Sequence, residues 1–236
     1  MINSTLMTNL LKLAASQVDI DIYQRLMAYS ILKKAFKDIE SARVFKTKQD
    51  LWRECITNQV GISNKIAYAE FGVYKGYSIN FFAQHNLNNE SIFIGLDSFE
   101  GLPESWGPVA KGTFSTKGII PKTNDSRVSF IKGLFQNTFD DLFARLLKAE
   151  TLVIHYDADL YSSTLFALAK IDNLKKSYIA IFDEFTGHET RALYNYIQVY
   201  NASVSFIGKT IDNGYPSQVM CKIVPNIIRK PTPPQL

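Results

Sequence analysis

Carboxylates close four of the apolar runs in this chain, and their placement is the first sign of chemistry. Ala67-Tyr-Ala ends in Glu70 and turns through Phe-Gly72-Val-Tyr-Lys-Gly76-Tyr-Ser78. Ile92-Phe-Ile-Gly-Leu ends in Asp97, Leu152-Val-Ile-His-Tyr in Asp157-Ala-Asp159, and Tyr178-Ile-Ala-Ile-Phe in Asp183-Glu184. Apolar runs this short, bounded by glycine and followed by residues at helical spacing such as Ile79, Phe82 and Ala83, read as strand, tight loop and helix. In an open parallel sheet a ligand binds outside the carboxyl ends of the strands, so these acids collect on the edge where a ligand lies.

The first two acids bear on the kind of ligand. A dinucleotide fingerprint spaces its first two glycines by one residue and brings backbone against a pyrophosphate. Here Gly72 and Gly76 are spaced by three residues, and the loop is headed by Glu70. A carboxylate there repels phosphate and suits a cation. S-adenosylmethionine carries a sulfonium, an ammonium and no phosphate, so it fits this loop better than a dinucleotide does, and Asp97 is placed to hydrogen-bond its ribose diol. On the residues alone, a reading in which the glycines only punctuate a turn stays open.

The later acids suggest a metal. In a parallel sheet the ends of successive strands lie side by side, so Asp157, Asp183 and Glu184 can converge, and convergent carboxylates need a neutralising cation. Mg²⁺ takes one or two protein carboxylates and fills its octahedron with water and substrate oxygens, and a hydroxyl bound to it loses its proton more easily. The competing reading makes Asp157 and Asp159 a helix cap and a first-turn acid. Asp157-Ala-Asp159 is also the D-x-D that holds Mn²⁺ and a nucleotide sugar in many glycosyltransferases, although the Glu70 loop then has no role. Of the histidines, His85 falls in a polar helix end and His155 inside an apolar strand. His188 follows Gly187 after the Asp183-Glu184 pair, where it can act as a general base on an acceptor.

The elements that position these residues follow from the rest of the chain. With 236 residues, 46% hydrophobic and 20% charged, the composition is that of a globular protein able to bury a proper core. The net charge of +4 comes from scattered lysines without a basic, aromatic-interleaved stripe, so no nucleic-acid partner is expected. Cys55 and Cys221 have no disulfide or metal spacing, no membrane span is apparent, and the N-terminus lacks a leader pattern, so a cytoplasmic location is expected. Residues 1–62 read as a helical extension that caps the sheet or cleft and leaves room for a homodimer contact. Residues 63–226 read as the ligand-binding domain, with residues 104–127 as a substrate lid rich in Gly, Pro, Ser and Thr. Residues 227–236 read as an extended tail.

Taken together, Glu70-Phe-Gly72-Val-Tyr-Lys-Gly76-Tyr-Ser78, Gly95-Leu-Asp97-Ser-Phe-Glu-Gly-Leu-Pro103, His155-Tyr-Asp157-Ala-Asp-Leu-Tyr161 and Phe182-Asp-Glu-Phe185 resemble the class I S-adenosylmethionine-dependent methyltransferases, and within them the macrocin O-methyltransferase family. The resemblance implies an α/β, doubly wound, Rossmann-like sheet of seven mostly parallel strands with a reversed last strand, preceded by the helical extension. It implies cofactor contacts at Glu70, Gly72, Gly76, Ser78 and Asp97; Ser98 is expected to join them, and Gly133 and Phe135 are expected to border the adenine. It implies Mg²⁺ at Asp157, Asp183 and Glu184, where Glu184 replaces a common Asp and Phe185 a common Tyr. The expected activity is O-methylation of a sugar hydroxyl, on a small-molecule or glycan acceptor, with Asp157 or His188 taking the proton. The rival readings are the D-x-D glycosyltransferase and a binding domain that retains the cofactor pocket without catalysis.

Overall fold

The computed structural model describes residues 4–17 and 20–227. Two helices, α1 (Ser4–Gln17) and α2 (Ile20–Lys34), precede a three-residue strand β1 (Arg43–Phe45) and helix α3 (Lys48–Glu54), which continues as a wider turn over Cys55–Val60. The alternating units then run β2 (Ala67–Phe71), α4 (Tyr77–His85), β3 (Ile92–Asp97), β4 (Val128–Lys132), α5 (Phe135–Leu146), β5 (Leu152–Tyr156), α6 (Tyr161–Asp172), β6 (Tyr178–Phe182) and α7 (His188–Tyr200). A hairpin of β7 (Ser203–Asp212) and β8 (Tyr215–Val224) ends the described chain. The tail expected at residues 227–236 lies, from 228 on, outside the described residues.

The strands form one sheet in the order β1-β7-β8-β6-β5-β2-β3-β4. From β2 the chain winds outward through β3 and β4, then crosses back to place β5 on the other side of β2. The ends of β2 and β5 are therefore the switch point where a crevice opens. The reversed strand is β8, antiparallel to both β6 and β7. The sheet has eight strands rather than seven, because β1 pairs in parallel with β7 inside a region expected to be helical throughout. A strand this short has no readable period. It is held by packing: a Cβ on Gly208 would sit 2.5 Å from the Phe45 ring, so glycine there makes room for that ring against β7.

Side chains alternate across the sheet with period two. Ala67, Ala69 and Phe71 face the core shared with α5, α6 and α7, along with Ile154, Tyr156, Phe182, Leu142 and Leu168. Tyr68, Val153 and Ile181 face the opposite core, where Leu51, Trp52, Cys55, Ile79 and Phe82 pack from α3 and α4. Glu70 and His155 are register partners, as are His155 and Ile181, so parity sends Glu70, His155 and, two residues past Ile181, Asp183 toward the α3 side. Cys55 and Cys221 are both buried and form no disulfide. Among the described residues no helix is long and apolar enough to cross a membrane.

Candidate functional site

At the switch point lies a cavity of ≈ 310 Å³ lined by Gly72–Tyr74, Asp97, Ser98, Gly133–Phe135, Asp157–Asp159, Asp183 and Glu184, and roofed by Trp106 and Phe114. The loop after β2 owes its path to Gly72. At φ +94 its backbone passes so close to the end of β5 that a Cβ would lie 1.8 Å from the Asp157 carbonyl oxygen. That path points the Val73 and Tyr74 amides at Asp97, whose Oδ2 accepts both at 2.8 Å while Oδ1 accepts the Phe99 amide at 2.7 Å. A carboxylate offers about four lone-pair sites, so Oδ1 keeps one for a ligand hydroxyl.

The Asp97-to-Pro103 segment also anchors the loop of residues 104–127. Gly101, at φ +86, leaves no room for a Cβ, which would lie 2.4 Å from the Gly112 carbonyl oxygen. The Gly118 amide bonds the Phe99 carbonyl oxygen at 2.8 Å, and Ser162 donates to Glu104 at 2.7 Å. The Phe114 ring meets Tyr74 edge-on at 5.9 Å, and Trp106 meets His188 at 6.4 Å.

Glu70 and Ser78 lie beneath this floor rather than on it. Ser78 donates to Glu70 Oε1, His155 Nδ1 stands 3.4 Å from the same oxygen, and Oε2 is buried with no hydrogen-bond partner. Burial pushes the Glu70 carboxyl up to about 7, against the opposing pull of His155 and Ser78. Tyr68 bonds His155 Nδ1 at 2.8 Å, and His155 Nε2 reaches toward Asp183 Oδ1 at 3.6 Å. His155 thus stands between Glu70 and Asp183, with its buried Nε2 making no hydrogen bond. Gly76, at φ +75, precedes α4 and would meet Pro121 if it carried a Cβ.

The acids on the far wall are unequal. Burial, then the charges of Asp183 and Glu70, hold Asp157 well above the usual carboxylate range. Asp159, at φ +58, is pushed up to about 7 by burial and by Glu184 and Asp183, and Glu184 is raised by burial and by Asp183. Asp183 is the exception. Burial opposes its ionisation, yet His155 and Lys48 outweigh it and hold the group at about 2. Lys48 Nζ sits 2.6 Å from Asp183 Oδ2, and Gln218 donates to Oδ1. Glu189, fully buried, accepts the Glu184 amide at 3.0 Å and so fixes the turn that carries Glu184.

His188 lines an adjoining cavity with Gln24, Arg25, Thr186 and Gly187, which shares Trp106 and Glu184 with the first. Its Nδ1 accepts the Tyr161 amide at 3.0 Å, so a neutral His188 carries its proton on Nε2.

The two expected small partners fare differently against this geometry. S-adenosylmethionine fits: the cavity is large enough, Asp97 keeps an acceptor for a ligand hydroxyl, and an acid with one unpartnered oxygen lies beneath the loop. The Mg²⁺ set at Asp157, Asp183 and Glu184 does not. Both oxygens of Asp183 are directed at protein donors, and no group of three or more metal-binding side chains assembles among the described residues.

No protein-family model matches the chain, and no curated protein matches it in sequence. Solved structures do match. The calicheamicin methyltransferase CalS11 is 17% identical over 93% of this chain and 92% of its own, with a TM-score of 0.51. The O-methyltransferase NovP is 20% identical over 73% of this chain and 78% of its own, at 0.53. An O-methyltransferase from Bacillus cereus in complex with S-adenosylhomocysteine is 13% identical over 90% of this chain and 96% of its own, at 0.51. The chain has the Rossmann-like fold of these methyltransferases, with β1 beside β7 at the edge of its sheet.

Lys48, His155, Gln218 and Glu189 are the site residues that sequence reasoning did not assign. Lys48 and Gln218 reach Asp183 from separate elements at opposite ends of the chain, so no spacing could mark them. The alternation in β5 did carry a signal for His155, since it shares parity with the Asp157 that closes the strand.

Proposed function

We propose that this protein is an S-adenosylmethionine-dependent O-methyltransferase acting on a hydroxyl of a small-molecule acceptor, with a sugar hydroxyl as the favoured class. The observation that carries the reading is the Asp97 carboxylate. It is locked by three backbone amides beside the switch point, with one acceptor position left for a ligand hydroxyl. When bound, S-adenosylmethionine supplies a methyl group on a positively charged sulfur, open to in-line attack by an oxygen.

The chain's own residues then have distinct tasks. The Gly72–Tyr74 backbone and Asp97 hold the ribose side, and Leu134 and Phe135 supply an apolar wall for the adenine. Trp106 and Phe114 close the roof and exclude water that would compete as the methyl acceptor. Asp157 receives the proton of the acceptor hydroxyl. Its elevated basicity suits that role, and a cation in the cavity favours its ionised form. His188, with Nδ1 accepting the Tyr161 amide, is tied to the start of α6 and borders the adjoining cavity on the acceptor side. The adjoining cavity pairs an aromatic ring, Trp106, with Gln24, Arg25, Glu184 and Thr186, a lining that suits a polyhydroxylated ring. The resemblance of the Asp97-to-Pro103 motif to macrocin O-methyltransferases supports the same acceptor class.

Incubation of the full chain with methyl-labelled S-adenosylmethionine and a panel of sugar glycosides and nucleotide sugars tests this directly. Label in a sugar product, lost in Asp157→Asn, is the expected outcome. Transfer of a sugar from a nucleotide donor, or S-adenosylmethionine binding without label in any acceptor, would favour the rival readings.

A further inference from the structure

The far wall of the cavity carries four carboxyl groups, Asp157, Asp159, Asp183 and Glu184, whose mutual repulsion a nearby cation would relieve. The structure contains one in covalent form. Lys48 is the first residue of α3, and its place is set by the cap before it, where Thr47 Oγ1 accepts the Asp50 amide at 3.1 Å. Strand β1, paired with β7, ends three residues earlier and ties the segment to the sheet. From there Nζ reaches Asp183 Oδ2 at 2.6 Å, and its charge also bears on Glu184 and Asp157. The opposite oxygen, Oδ1, accepts from Gln218 and faces His155 Nε2.

We propose that the Lys48 ammonium is the resident cation of this carboxylate cluster and takes the place that a divalent metal would otherwise fill. Three observations converge on it. Asp183 has both oxygens bonded by donors, Lys48 of α3 on Oδ2 and Gln218 of β8 on Oδ1, which leaves it poorly placed to ligate an ion at the 2.0–2.1 Å that Mg²⁺ requires. A metal on Asp183 Oδ2 would sit beside an ammonium already in hydrogen-bond contact with that oxygen, a like-charge repulsion in a partly buried site. Glu184, one methylene longer than the aspartate common in the resembling family, has its backbone fixed by Glu189. Lys48 is thus a positioning residue: it acts through Asp183, holding it ionised and oriented toward the cavity. A single charge held by the fold replaces the double charge of an exchangeable ion.

The inference rests on the reading of the cavity given above, but it is tested without methyl transfer. Mn²⁺, followed by the electron paramagnetic resonance of the free ion, serves as the probe on the full chain, with and without S-adenosylhomocysteine. Wild-type protein is expected to bind no Mn²⁺ at about 1 mM ion, whereas Lys48→Met, which frees Asp183 Oδ2, gains binding at least about tenfold tighter. Lys48→Arg keeps the charge and should stay without metal. Wild-type binding of Mn²⁺ that Asp183→Asn abolishes would overturn the proposal, as would a Lys48→Met protein that binds no more ion than wild type. The wild-type and Asp183→Asn measurement stands even if Lys48→Met does not fold. Binding of S-adenosylhomocysteine, measured on the same samples, reports separately on the cavity.

Discussion

Replacing Gly72 by alanine places a methyl group where the Asp157 carbonyl oxygen lies 1.8 Å away and its carbon 2.8 Å away. Neither is a flexible side chain, so the clash is relieved only by moving the loop or the end of β5. Two terms add. An L-residue at φ +94 costs about 1–2 kcal/mol. Forcing packed backbone apart costs about 1–3 kcal/mol. A loss of roughly 2–5 kcal/mol is expected, a large share of the usual stability of a domain. The same shift draws the Val73 and Tyr74 amides off Asp97, so the ligand socket suffers along with the fold. Gly214 is the control: it has φ +82 in the β7–β8 turn and nothing within 4 Å of an added Cβ, so Gly214→Ala should lose only the backbone term. Urea unfolding followed by circular dichroism measures stability, and calorimetric titration with S-adenosylhomocysteine measures the socket. If Gly72→Ala loses no more stability than Gly214→Ala and keeps its ligand affinity, the close approach of β2 and β5 is wrong.

Three further outcomes follow from the site. Glu70, an acid whose folded value of about 7 lies above its ordinary 4.5, binds protons more readily when folded, so its contribution to stability is present below pH 4.5 and lost as the pH rises to 7. Glu70→Gln should therefore flatten the fall in unfolding free energy between pH 4.5 and 7.5, measured by urea denaturation, by up to roughly 3 kcal/mol; an unchanged slope would show that Glu70 is not buried as described. Asp97→Ala removes the acceptor for the ribose and leaves the Val73, Tyr74 and Phe99 amides without it, and should weaken S-adenosylhomocysteine by about 10- to 100-fold. Trp106→Ala opens the wall shared by the two cavities and should raise the acceptor KM about tenfold with little change in the KM for S-adenosylmethionine; the reverse pattern would move Trp106 to the cofactor side.

Much of this arrangement could be read from the chain because its informative residues are local. The acids Glu70, Asp97, Asp157 and Asp183 each end a short apolar run, and strand direction alone carries them to one edge of a parallel sheet. Gly72 was marked by its loop, although the reason it must be glycine, the Asp157 carbonyl, lies 85 residues away in sequence. What sequence did not yield depends on contacts between distant segments. Strand β1 is three residues long and exists through its pairing with β7. Lys48 meets Asp183 across 135 residues, a separation that no motif spacing marks. Glu70 and Ser78 were expected on the cavity surface. Alternation in β2 instead directs Glu70 into the α3 and α4 core, where Ser78 of α4 meets it.

The most direct measurement is calorimetric titration of the purified chain with S-adenosylhomocysteine, run beside uridine and guanosine diphosphates. Saturable binding of one S-adenosylhomocysteine per chain, weakened in Asp97→Ala and matched by neither diphosphate, is the expected result. No heat with S-adenosylhomocysteine, or preferential binding of a diphosphate, would contradict the assignment of this cavity to a sulfonium nucleoside.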